Sequence, residues 1–184
     1  MFFKYNNINY LLTKYTMNLK DYIDEIKDFP KLWIEFKDMS PILANSEALD
    51  IVINSFENSL WAPTKIIGLD ARGFIFWSIL AYKMKIPFIM LRKEWKLPWK
   101  CERISYKLEY WENTFEIKKD SIKPWDRIAI VDDLIATGWT IKAAIDLVER
   151  LWASISSVNA VIELKDLNGR ELFKDKVINT LVKY

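Results

Sequence analysis

Apolar residues fall into short runs separated by amphipathic stretches. Residues 65–70 (KIIGLD), 87–93 (PFIMLRK), 126–131 (DRIAIV), 154–164 (SISSVNAVIEL) and 177–184 (VINTLVKY) read as strands, most of them buried. Between them, residues 45–60, 74–84 and 141–151 show helical spacing, the first with Asn45 or Ser46 as N-cap. Leu19, Ile23 and Ile26 predict a helix over 18–27, and 28–43 (DFPKLWIEFKDMSPIL) a loop and short strand between prolines. EWKLPWKCER (94–103) reads as a polar loop, SYKLEY (105–110) with TFEIKK (114–119) as a hairpin, and NGREL (168–172) as a turn or short helix. Strands alternating with helices imply an α/β fold with a mostly parallel sheet flanked by helices. No repeat or linker interrupts it, so residues 17–184 are expected to form one domain.

Composition narrows the chemistry. The 184 residues carry one cysteine, Cys101, and no histidine, which removes a disulfide framework and imidazole-based catalysis or zinc ligation. A net charge of +2 is too small to imply a nucleic-acid or membrane partner through bulk electrostatics, and none is expected. No run approaches the ~18 apolar residues of a membrane helix. The opening MFFKYNNINYLLTKYTM lacks the h-region and cleavage site of a signal peptide. Met17 is therefore read as the start, residues 1–16 as an upstream extension, and the location as cytoplasmic.

Ligands of such sheets bind beyond the carboxyl ends of the strands. Two of those ends carry unusual chemistry, GLDARGF (68–74) and VDDLIATGWT, whose Val131 ends an apolar run. Asp132 and Asp133 suit Mg²⁺ or a pair of ribose hydroxyls. Ala136, Thr137, Gly138, position 139 and Thr140 open a helix with backbone N–H groups and two hydroxyls, a cradle for a monophosphate. Arg72 suits a diphosphate. Arg92, Lys93, Lys96 and Lys100 form a basic strand end and loop that would cover a highly charged substrate.

From about Met17 to Tyr184 the chain resembles the adenine phosphoribosyltransferases, through DFPKLWIEFKDMSPIL, KIIGLDARGFIF, PFIMLRKEWKLPWK, YKLEYWENTFEI, RIAIVDDLIATGWT and IELKDLNGREL. VDDLIATG resembles the phosphoribosyl-pyrophosphate motif of the type I enzymes, and LDARGF, RKEWKLP and LEY point to the adenine branch. The resemblance implies the type I fold with a small hood and a flexible β-hairpin loop. It also implies a cytoplasmic homodimer that makes AMP and pyrophosphate from adenine and phosphoribosyl pyrophosphate with Mg²⁺. In that scheme Asp132 and Asp133 hold the ribose, Ala136, Thr137, Gly138, Trp139 and Thr140 the 5′-phosphate, and Asp70, Ala71 and Arg72 the pyrophosphate. Mg²⁺ is bound mainly through substrate and water. The backbone of Ile34, Glu35, Phe36 and Lys37 reads adenine, with Leu134 as an apolar neighbour. The loop from Arg92 through Lys93 and Lys96 to Tyr110 closes over the site, and Glu109 assists the base proton. The alternatives are a phosphoribosyltransferase for hypoxanthine, guanine or xanthine, and a non-catalytic sensor of phosphoribosyl pyrophosphate. Such regulators carry a nucleic-acid-binding domain or basic face, which neither the short extension nor the charge supplies.

Tryptophan adds a puzzle. Average usage predicts about 13 glycines in such a chain; this one has 4 glycines and 9 tryptophans. Trp33, Trp77, Trp95, Trp99, Trp111, Trp125, Trp139 and Trp152 stand where the resembled family usually has glycine. Local sterics agree at some of them. Lys123-Pro124-Trp125-Asp126 reads as a type II turn whose third residue needs φ > 0. Trp152 stands just past a helix, where glycine is preferred, and Trp139 would crowd the phosphate cradle. The expectation is a UGA codon that means glycine read as tryptophan.

Overall fold

The computed structural model describes residues 17–98, 100–107 and 112–184, and the chain divides into two units at Val52/Ile53. In the first, a 3₁₀ turn over Leu19–Tyr22 leads into β1 (Asp24–Ile26), antiparallel to β2 (Phe36–Asp38). The helix expected over 18–27 does not form. Pairing places Glu25 opposite Lys37, and the Lys37 ammonium, 5% exposed, lies 2.9 Å from Glu25 and 3.1 Å from Glu35. A buried ammonium needs such partners, and the strand pair supplies them. Helix α1 (Ser40–Ala44) has Pro41 in its first turn; α2 (Ser46–Ser59) follows, and Asn45 Oδ1 accepts the N–H groups of Glu47 and Ala48 at 3.0 Å each.

The second unit is built on β3 (Lys65–Leu69), β4 (Phe88–Lys93), β5 (Cys101–Lys107), β6 (Glu112–Lys118), β7 (Arg127–Ile135), β8 (Ser154–Glu163) and β9 (Ile178–Lys183). They form one sheet in the order β5-β6-β4-β3-β7-β8-β9. Strands β4, β3, β7, β8 and β9 are parallel, and the β5–β6 hairpin joins the β4 edge antiparallel. Helices α3 (Gly73–Met84) and α4 (Trp139–Arg150) follow β3 and β7. Ile67, Leu69, Ile128, Ile130, Val158 and Ala160 from the central strands are buried with Ile141, Ile145 and Val148 of α4. The mostly parallel α/β sheet is the architecture the alternating pattern predicts.

Two boundaries differ from expectation. Strand β5 begins at Cys101, inside the expected polar loop, because Cys101 to Lys107 pair residue by residue with Lys118 to Glu112. Strand β7 runs to Ile135 instead of stopping at Val131, because Asp132, Leu134 and Ile135 pair with Ala160, Ile162 and Glu163 of β8. Hydropathy loses the strand at the two carboxylates; parallel pairing continues through them.

The tryptophans divide into distinct groups. Trp33, Trp95, Trp125 and Trp152 have φ of 71°, 65°, 74° and 62°, the left-handed region, and are 80–95% exposed. Asp126 N–H donates to Lys123 O at 3.1 Å, closing the expected turn around Trp125. Trp152 sits in a Schellman ending, with Trp152 N–H on Glu149 O (3.0 Å) and Ala153 N–H on Val148 O (3.3 Å). Trp77 is different: it is fully buried, its ring 4.5 Å from Phe56, and its indole N–H donates to Asp132 O at 3.1 Å. Trp139 opens α4 with ordinary backbone, since Gly138 takes the left-handed angles at φ 82°. The left-handed angle therefore falls on Gly138, and only side-chain bulk counts at 139. Trp99, Trp111 and residues 1–16 lie outside the described residues.

A left-handed residue with a Cβ costs ~1–2 kcal/mol, and these exposed indoles offset little of it. Changing Trp33, Trp95, Trp125 or Trp152 singly to glycine is expected to raise stability by about 1 kcal/mol each in urea unfolding. Trp77→Gly in the same chain should lose ~3–5 kcal/mol, as for other emptied aromatic core sites. If glycine is what these turns were built for, sequencing the coding DNA should find TGA at the four left-handed positions; TGG there would refute the codon reading.

Candidate active site

Strands β3 and β7 are neighbours, so their carboxyl ends bring the two unusual motifs together. At the end of β3 the Asp70–Ala71 peptide is cis, as is Phe29–Pro30. Arg92 Nε donates to Asp70 Oδ2 at 3.0 Å, and its guanidinium lies 5.6 Å from the Phe74 ring centre. Lys93 N–H reaches the same Asp70 oxygen at 3.4 Å. Asp70 is thus held from β4, and the turn after it delivers Arg72 to β7. Arg72 Nε stands 2.7 Å from Asp133 Oδ2, the arginine side chain half exposed and the aspartate buried.

Asp132 is fixed by its surroundings. Its Oδ1 accepts the Asp133 N–H at 2.9 Å, and its carbonyl accepts the Trp77 indole. Gly73 opens α3 so close that a Cβ there would lie 3.3 Å from Asp132 Oδ1 and 3.2 Å from Val131 O. Burial first, then the charge of Asp133, holds the Asp132 carboxyl well above the usual aspartate range. Asp133 has the Arg72 guanidinium beside it.

Beyond Ile135 the chain turns through Ala136 and Thr137 to Gly138. Lys142 N–H donates to Gly138 O at 2.9 Å. The N–H groups ahead of it have no acceptor inside α4 and carry the positive end of the helix dipole. This is the geometry of an anion cradle, opened by a left-handed glycine and followed by Thr140. Trp139, 44% exposed, stands at its mouth.

One neighbour escaped the sequence reading. Tyr106 of β5 stacks on Phe115 at 5.2 Å, and the side chains of Thr140 and Asn113 favour its ionised form against the cost of burial. Burial pushes the phenol above its usual range. Alternation marks Tyr106 only as a hairpin position; the link to the turn exists because β5 and α4 pack together. Leu134 of β7 is half buried beside β8. Lys96 and Lys100 are exposed, whereas Glu109 and Tyr110 lie outside the described residues.

Ile34, Glu35, Phe36 and Lys37 belong to the first unit. Ile34 is exposed, and Phe36 meets Phe29 edge-on at 5.3 Å. The Lys37 side chain is engaged by Glu25 and Glu35, which hold it charged against the cost of burial. Among the described residues, no three His, Cys, Asp or Glu side chains gather as a metal cage, and no helix is long and apolar enough to cross a membrane.

The phosphoribosyl transferase domain family matches residues 40–181. An adenine phosphoribosyltransferase of Mycoplasma mobile is 48% identical, covering 90% of this chain and 96% of the relative. The chain belongs to the adenine phosphoribosyltransferases. Its fold matches the enzyme of Thermoanaerobacter pseudethanolicus with a TM-score of 0.87 at 39% identity, covering 90% of this chain and 98% of that one. The Saccharomyces cerevisiae enzyme, solved with adenine and an imino-altritol bisphosphate, gives 0.85 at 34% identity over 95% and 99% of the two chains.

The electrostatics of the carboxylate pair give a pH test. The folded state binds the Asp132 proton more tightly than the unfolded chain, whose value is near 3.8. The stabilisation from that proton is full below the unfolded value and lost as pH rises through the raised one. Asp132→Asn cannot ionise, so its melting temperature should gain on the parent chain as pH rises from about 4 to about 8. A difference that stays flat or shrinks over that range would mean Asp132 titrates normally.

Proposed function

We propose that this chain transfers the 5-phosphoribosyl group of phosphoribosyl pyrophosphate to adenine, giving AMP and pyrophosphate in purine salvage. The observation that carries the reading is the convergence of Arg72, the Asp132–Asp133 pair and the Gly138 turn at adjoining strand ends of one sheet. In the reaction a bond forms from adenine N9 to the anomeric carbon as the bond from that carbon to pyrophosphate breaks. Positive charge develops on the sugar between those events. Asp132 and Asp133 bind the ribose hydroxyls and face that charge, which a fixed carboxylate stabilises without reorganisation. Residues 136–140 hold the 5′-phosphate, while Arg72 with the Asp70–Ala71 turn holds the departing diphosphate.

Adenine recognition falls to the backbone of Ile34–Lys37. Lys93 and Lys96 help to exclude water, since an oxocarbenium-like sugar would otherwise hydrolyse, and Glu109 assists the base proton. The site offers hard oxygen donors, Asp132 and Asp133, and no described three-residue cage. That donor set suits Mg²⁺ carried chiefly by substrate oxygens and water. When bound, the ion neutralises charge on the diphosphate. The enzyme works in the cytoplasm as a homodimer. Ile75, Ile79 and Tyr82, an exposed apolar stripe at helical spacing on α3, support the pairing.

Turnover tests the reading. Asp133→Asn, with glycine at 139 in both parent and variant, should lower kcat on the order of 100-fold while it still unfolds cooperatively. Unchanged turnover would remove the ribose role. Exchange of labelled base into AMP should occur with adenine and fail with hypoxanthine, guanine and xanthine; exchange with another base would redirect the specificity.

A further inference from the structure

Gly138 touches a second glycine. A Cβ on Gly169 would stand 2.1 Å from Ala136 O and 2.8 Å from Gly138 N, and one on Gly138 would stand 2.3 Å from Gly169 O. The 136–138 segment therefore lies directly on the backbone of the 3₁₀ turn Gly169–Phe173, with no side chain between them. Any displacement of that turn passes to residues 136–138. The buried Phe173 holds the far end of the turn. The turn follows a left-handed Asn168 (φ 51°) and opens with one bond from Glu171 N–H to Asn168 O at 3.1 Å.

Arg170 supplies the anchor. Its Nε and Nη2 donate to the two oxygens of Glu163 at 2.5 and 2.8 Å, the planar two-point arrangement that fixes orientation as well as distance. Glu163, 4% exposed, also accepts the Thr180 hydroxyl at 2.9 Å. Arg170 holds its carboxyl below the usual range against the opposing effect of burial. Glu163 pairs with Ile135, the last residue of β7, and Leu164 N–H donates to Ile135 O at 2.9 Å. The anchor thus grips the strand end from which the 136–140 turn departs. A buried ion pair is a poor source of net stability, but it sets a geometry.

We propose that Glu163 and Arg170 are positioning residues for the 136–140 turn. Through Gly169 they fix the spacing of its N–H groups without touching substrate. The consequence for substrate rests on the assignment of that turn to the 5′-phosphate. AMP, which carries that phosphate, should then depend on the ion pair, whereas pyrophosphate, assigned to the Asp70–Arg72 turn, should not.

The test compares Glu163→Gln and the milder Arg170→Lys with the full parent chain, all carrying glycine at 139, in two measurements. Without ligand, amide hydrogen exchange at 137–140 should quicken about tenfold, the size of a lost charge-assisted bond, while the amides of 71–73 keep their rates. By calorimetry AMP should bind about tenfold more weakly and inorganic pyrophosphate unchanged. Unaltered exchange at 137–140 in a folded variant overturns the positioning role, as does a parallel loss of AMP and pyrophosphate binding. Faster exchange with AMP affinity intact overturns instead the assignment of this turn to the 5′-phosphate. Arg170→Lys keeps the charge and loses the fork, so it decides the matter if Glu163→Gln fails to fold, and exchange needs no ligand.

Discussion

Everything at this site depends on one strand carrying two incompatible loads. Strand β7 lies between β3 and β8, and Ile128 to Val131 are fully buried. The same strand continues through Asp132 and Asp133 before it ends. Its hydrogen-bonded neighbours fix the position of those carboxylates, and burial makes the charge of the pair costly. Arg72 offsets that cost at Asp133, and elevated proton affinity offsets it at Asp132.

Around this strand the backbone leaves little or no room for a Cβ. Gly73 meets Asp132, and Gly138 meets Gly169. These contacts let helix N-termini and turns approach a ligand with their N–H groups, which a Cβ would hold away. The left-handed tryptophans break the same rule elsewhere. Their backbones adopt the angles the fold requires, while their side chains project into solvent. The fold there is sensitive chiefly to φ, although the Arg103 guanidinium lies 5.5 Å from the centre of the Trp95 ring. Trp77 shows the opposite case, a buried ring with its N–H satisfied.

The lateral strands tie the site to the rest of the second unit. On one side the β5–β6 hairpin brings Tyr106 to Thr140. On the other, β8 and β9 gather Glu163, Thr180 and Arg170 around the turn that underlies the cradle. Each side contributes a polar contact to the opening of α4 or to its support, so the turn after β7 is set by several strands instead of by its own short sequence.

The sequence by itself determined the parallel α/β architecture, the family, and the identity of the charged groups at the strand ends. Apolar periodicity and the DD–ATG spacing are local properties, and local properties survive in a one-dimensional string. It also located the glycine-demanding turns at 125 and 152, because turn sterics span only a few residues. Tertiary structure decided the rest. Pairing extended β7 past its hydrophobic run, started β5 inside a polar loop and replaced a helix near residue 23 with a strand paired through Glu25 and Lys37. It also placed Tyr106 and Gly169 against the cradle from distant stretches of the chain. Hydropathy registers whether a residue can be buried. Which partner completes its hydrogen bonds and balances its charge is fixed only when remote segments meet.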